Sequence, residues 1–130
     1  MIVLDASVAV EVILQTEVGV ALTGRLLAPE PDLHAPYLLD IEVAQVLRRL
    51  TLHREVPPER ARQALEDLAD LSIERYPHEM LLPRIWTLRE NLTAYDAAYV
   101  ALTEILGATL LTRDGRISRA SGHSARVEVV

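Results

Sequence analysis

Four acids stand where this chain could do chemistry: Asp5, Glu42, Asp96 and Asp114. Asp5 closes a short apolar run, and Glu42 borders the apolar stripe of a helical stretch. Asp96 falls in the first turn of another helical stretch, and Asp114 follows a further apolar run. Taken singly, each has an ordinary explanation. Asp5 suits a helix N-cap, Glu42 a half-exposed helix charge, Asp96 the positive end of a helix dipole, and Asp114 an Asx turn before Gly115. Taken together they need another. Carboxylates gathered on one edge repel one another, and the chain has no Lys to neutralise them, all 13 basic residues being Arg. Such a cluster calls for a metal ion, and all-oxygen ligands select Mg²⁺ or Mn²⁺ over zinc. These ions suit phosphoryl chemistry, one activating water and another stabilising the leaving oxygen. The four histidines, His34, His53, His78 and His123, show no paired ligand spacing and read as surface or structural residues.

The elements that must position these acids follow from the apolar pattern. Residues 1–4 read as a buried central strand. A helix over 7–14 follows, capped by Asp5 or Ser7. A second helix over 16–27 has Thr16 as its cap and Val18, Ala21, Leu22 and Leu26 as its apolar face, and Pro29 and Pro31 stop it. After a short strand at 33–35, Pro36 suits the first position of a long helix to about residue 53. In that helix Leu39, Val43, Val46, Leu47 and Leu50 form the core stripe, and Leu38, Glu42, Gln45 and Arg49 share a flank. The stretch 56–59 breaks it and starts another helix to about residue 69, and 72–76 has strand character. Residues 77–91 are helical, with Pro83 either starting the helix or kinking it. The helix over 92–106 has Thr93 as its N-cap, an apolar stripe at Ala97, Val100, Ala101 and Ile105, and Gly107 as its stop. A strand at 109–111, a turn at 112–115, a short helix and a last strand at 126–130 complete the chain. Strands separated by helical stretches imply βαβ crossovers, hence a parallel sheet with helices on both faces. The reactive crevice of such a sheet lies outside the C-terminal ends of its strands, where Asp5, Asp96 and Asp114 can converge.

Composition narrows the classes further. A length of 130 residues is one domain able to bury a real core without staples. No apolar run is long enough for a membrane helix, and the opening MIVLD lacks the basic start of a signal peptide. With no Cys there is neither a disulfide frame nor a thiolate metal site, so the compartment is expected to be the cytoplasm. A net charge of −6 argues against a general nucleic-acid coat. A mean hydropathy of +0.17 is high for a domain of this size and points to apolar surface that meets a partner. Arg113, Arg116 and Arg119, spaced by three beside Asp114, are the candidate phosphate contacts.

Four stretches carry a resemblance: MIVLDASVAVEVIL, LLDIEVAQVLRR, NLTAYDAAYVALTEIL and LLTRDGRI. In these, over essentially its full length, the chain resembles the PIN-domain nucleases, and within them the VapC-type toxins of bacterial toxin–antitoxin pairs. The resemblance implies one three-layer α/β domain over residues 1–130, its central parallel sheet of about four to five strands flanked by helices on both faces. It implies a Mg²⁺-dependent endoribonuclease, with Mn²⁺ as a possible substitute. By position, Asp5, Glu42 and Asp96 match the family's three acids and Asp114 its more variable fourth. Ser7 matches a small hydroxyl residue that orients the first acid, and Thr112 a hydroxyl residue just before the last. The implied partners are an RNA substrate, a VapB-type antitoxin protein, and a second copy of the chain docked through the early helices.

A single-stranded loop is the expected form of the RNA, since its bases can be splayed out, and Tyr37, Tyr95 and Tyr99 are candidates to stack on them. Phosphotransfer domains on similar sheets, such as response-regulator receivers and haloacid-dehalogenase phosphatases, use a Lys that this chain lacks. The alternative is a PIN-like domain that only binds RNA or protein. Such domains usually lose acids, and this chain keeps all four.

Overall fold

The N-terminal apolar run becomes β1 (Ile2–Leu4), and β2 (Leu33–Pro36), β3 (Ile73–Tyr76), β4 (Thr109–Thr112) and β5 (Arg126–Val129) assemble around it. The structure, a computed structural model, describes residues 1–29 and 32–130; the expected stop at Pro31 lies outside the described residues. The helices are α1 (Ala6–Ile13), α2 (Glu17–Leu26), α3 (Leu38–Leu52), α4 (Pro58–Asp70), α5 (Leu82–Thr87), α6 (Ala94–Leu106) and α7 (Gly115–Arg119), with a 3-10 turn at Glu79–Leu81. All strand pairs are parallel, in the order β3-β2-β1-β4-β5. The expected three-layer α/β fold, with helices on both faces of the sheet, is therefore present, with five strands.

That order has a functional meaning. From β1 the chain winds outward through β2 and β3, then returns to build β4 and β5 on the other side. The winding reverses between β1 and β4, and at such a switch point the connections leaving the two adjacent strands run to opposite sides and open a crevice. β1 is short but central, with Val3 and Leu4 fully buried.

The middle of α6 is enclosed as well, every residue from Ala97 to Thr103 being buried. The expected stripe was too narrow there and reached one turn too far, since Ile105 is 52 % exposed. Gly107 ends α6 in the left-handed conformation, φ 62°, which a glycine adopts without a Cβ penalty.

Two other local expectations need correction, and the alternative left open at Pro83 is decided. Pro36 ends β2 and does not open α3. The Tyr37 N–H donates to the Tyr76 carbonyl at 2.9 Å, so Pro36 turns toward the β1 side, where pairing has already ended at Val3–His34. A missing N–H costs little at that position. The free Leu38 N–H at the start of α3 instead donates to His78 Nε2 at 2.9 Å. On α2 the buried residues are Gly19 and Leu26, with Ala21 exposed, because the helix packs onto α1 through its glycine. Pro83 sits in the first turn of α5, so it starts a helix there and kinks none. Among the described residues, no single helix is long and apolar enough to cross a membrane.

Candidate active site

Asp5 leaves the end of β1 and caps α1, its Oδ1 accepting the Val8 N–H at 3.1 Å and the Ser7 hydroxyl at 2.5 Å. Its other oxygen accepts the hydroxyl of Thr112, from the end of β4. Each hydroxyl is in turn an acceptor: Ser7 Oγ takes the Arg113 N–H at 2.9 Å and Thr112 Oγ1 the Asp114 N–H at 3.0 Å. The two strand ends are thus stitched together through Asp5. Glu42 lies one turn into α3, and Tyr99, buried on α6, donates its phenol to Glu42 Oε1 at 2.7 Å. Asp96 sits in the first turn of α6, its N–H donating to the Thr93 hydroxyl of the N-cap at 3.1 Å. Asp114 caps α7 and gives both oxygens to the Arg116 guanidinium.

A cleft of about 630 Å³ opens at this edge of the sheet, and all four acids and Ser7 line it. Thr112 stands behind it, fully buried against Asp5. The electrostatics are those of a crowded anionic site. Burial pushes the Asp5 carboxyl up, with a smaller push from Asp96, against the hydrogen bonds that pull it down. Burial likewise raises Glu42, with Asp96 and Asp5 adding to it, and raises Asp96, with Asp114 adding to it. Asp114 alone is lowered, by its Arg116 partner.

The donor set is hard oxygen throughout, with no His among the cleft-lining residues, which fits Mg²⁺ or Mn²⁺ and not zinc. A divalent cation would also relieve the repulsion that lifts three of the acids. Among the described residues, no three of these carboxylates are gathered tightly enough to hold an ion as they stand, and Asp114 spends both oxygens on Arg116.

The expected arginine trio divides. Arg116 lines the cleft. Arg113 turns to the Val130 carbonyl and toward Glu11, and Arg119 folds over Gly115, so neither lines it. In their place the far wall offers Gln45 and Arg49, and Arg49 has no carboxylate partner among the described residues. Glu42, Gln45 and Arg49 share one flank of α3, so three- and seven-residue spacing already places them on one side. What the sequence lacked was any sign that this flank faces the acids. Of the tyrosines, Tyr95 is exposed at the cleft, Tyr99 forms its buried wall, and Tyr37 lies outside it, edge-on to His78.

The family model of the PIN domain matches residues 2–122 of this chain. The chain belongs to the PIN-domain family. Within it, the chain is 38% identical to ribonuclease VapC12 of Mycobacterium tuberculosis over 130 residues, covering 100% of this chain and 99% of that one. Identity to ribonuclease VapC9 of the same organism is 41%, covering 100% and 98%. These full-length likenesses put this PIN domain among the VapC ribonucleases. The fold agrees with two solved PIN relatives. VapBC2 from Rickettsia felis, bound to a DNA fragment from their promoter, superposes with a TM-score of 0.71 at 15% identity, covering 99% of this chain and 98% of that one. Mycobacterium tuberculosis VapC20, a sarcin-ricin loop cleaving toxin, gives 0.67 at 17% identity, covering 95% and 97%.

Proposed function

We infer that this chain is the toxin of a type II toxin–antitoxin module and hydrolyses RNA phosphodiester bonds at the four-acid cleft, with Mg²⁺, or Mn²⁺ in its place. The observation that carries this reading is the convergence of Asp5, Glu42, Asp96 and Asp114, from four separate elements, on one crevice at the switch point of the sheet. When bound, the ion supplies charge neutralisation at the phosphate and activation of water. Asp5, Glu42, Asp96 and Asp114 are the residues that would hold it, Asp114 after parting from Arg116.

The remaining roles fall to the chain's own side chains. Ser7 and Thr112 hold Asp5 in one orientation, so that its carboxylate needs no ordering when the site is loaded. Arg116 on one side and Arg49 on the other reach RNA phosphates by planar forks that a lysine could not offer. Tyr95 and Ile41, exposed at the cleft to 61 % and 70 %, are placed for unstacked bases, which favours single-stranded substrates. A VapB-type antitoxin and a second copy of the chain are the proposed protein partners, supported by the likeness to VapC proteins.

The test is cleavage of single-stranded and hairpin RNA by purified chain with Mg²⁺, with Mn²⁺ and with EDTA. Cleavage that EDTA abolishes and either ion restores is expected. RNA binding with no cleavage under any condition would leave the binding-only alternative standing. The arginines have a separate expectation. Arg49→Gln and Arg116→Gln should each weaken RNA binding and lower the slope of log affinity against log salt by about 0.7, one counterion's worth on a single strand. Arg119→Gln should leave that slope where it was, since its guanidinium lies over Gly115.

A further inference from the structure

We propose that Tyr99 is a positioning residue for metal binding: its phenol clamps one oxygen of Glu42 and thereby presents the other to the ion. The inference rests on the metal-dependent reading of the cleft. Tyr99 is 2 % exposed, and its ring would be explained by packing alone, a job that phenylalanine does equally well. The hydroxyl is not explained that way. It donates to Glu42 Oε1 at 2.7 Å, across from α6 to α3, and among the described residues Glu42 Oε2 accepts no hydrogen bond.

The spacing gives this bond its place in the site. Asp96 and Tyr99 are three residues apart in α6 and so share a face. One helical turn therefore supplies one acid directly and fixes a second that belongs to another element. Asp5 is held in the same manner by Ser7 and Thr112, so two acids of the cleft have a hydroxyl donor behind them. Partners that stand behind metal ligands in this way fix the ligand's orientation before the ion arrives.

Mn²⁺ titration calorimetry on wild type, Tyr99→Phe, Glu42→Gln and the double variant tests the proposal, each chain first shown to be folded by circular dichroism. Tyr99→Phe is expected to weaken Mn²⁺ binding about tenfold. On top of Glu42→Gln the same change should add less than about twofold, because the route runs through Glu42. Equal loss in both backgrounds would make Tyr99 a packing residue and overturn the proposal, as would wild-type affinity in Tyr99→Phe. Glu42→Asp reads the same bond from the other side, drawing the carboxylate back from the phenol with Tyr99 intact, and must weaken Mn²⁺ at least as much. Should wild type itself bind no Mn²⁺ and cleave no RNA, the metal reading falls and this inference with it. A Tyr99→Phe that binds like an active wild type removes only the inference.

Discussion

Asp96→Asn is expected to abolish metal-dependent RNA cleavage while making the metal-free chain more stable. The loss of activity should be at least about a hundredfold, since even partners one hydrogen bond behind a metal ligand cost about 10–100-fold. The gain in stability follows from the position of the carboxylate. Burial and the neighbouring Asp114 push it up, so its ionised form is costlier in the folded chain than in the unfolded one. That cost is fully present above the folded pKa and disappears as pH falls below the unfolded value. The metal-free wild type should therefore gain stability on mild acidification, and Asp96→Asn should gain less.

The opposing effect is the lost attraction of a negative charge for the α6 N-terminus, about 0.3–1 kcal/mol. The net rise in melting temperature in EDTA is accordingly small, about 1–3 °C. Metal reverses the order. An ion at a hundred times its dissociation constant stabilises the wild type by about 2.7 kcal/mol and the variant by far less. Scanning calorimetry of both chains, in EDTA and in saturating Mn²⁺, should thus show the two melting temperatures crossing. A wild type that melts higher in both conditions would reduce Asp96 to a helix-terminus charge.

The second large effect lies away from the cleft, where α2 crosses α1. A Cβ added to Gly19 would stand 1.9 Å from the Glu11 carbonyl oxygen and 2.8 Å from the Val12 nitrogen, and neither backbone atom can swing aside. Gly19→Ala must therefore drive α2 off α1. Overpacking of this kind costs about 3 kcal/mol at the upper end of its usual range, against about 1 kcal/mol gained from replacing glycine in a helix. The expected fall in melting temperature is roughly 5–10 °C. Gly24, on the same helix, has open space around its Cβ position. Gly24→Ala should raise stability by about 0.5–1 kcal/mol. Equal responses at the two glycines would contradict the close crossing.

The difference between these two glycines shows where the sequence stops being legible. Both stand in one helical pattern, and only the neighbouring chain tells them apart. The elements themselves were readable because they are bounded by residues with a local reason to start or stop them: Asp5 and Thr93 as N-caps, Gly107 as a left-handed stop. Pro36 misled because its rule was correct and its context was not, the strand partner that would have needed its N–H having already ended. The acids were legible as a set, since carboxylates that elements bring to one edge of a sheet repel one another and call for a counter-ion. Their partners were less so. The bond from Tyr99 to Glu42 spans 57 residues, and no periodicity within one helix announces it. Arg49 was visible on the flank of Glu42, but only the packing of α3 against the sheet decides that this flank faces the cleft.

The stitch between Asp5 and Thr112 joins residues 107 apart in the chain. In synthesis Asp5 of the central strand therefore leaves the ribosome 107 residues ahead of the hydroxyl that holds it. Any nascent chain that stops short of β4 carries Asp5 without the Thr112 hydroxyl, and Ser7 without the Arg113 N–H. The hydroxyl frame around Asp5 is complete only once β4 lies beside β1. A fragment that stops before β4 therefore has the acid without the frame that orients it.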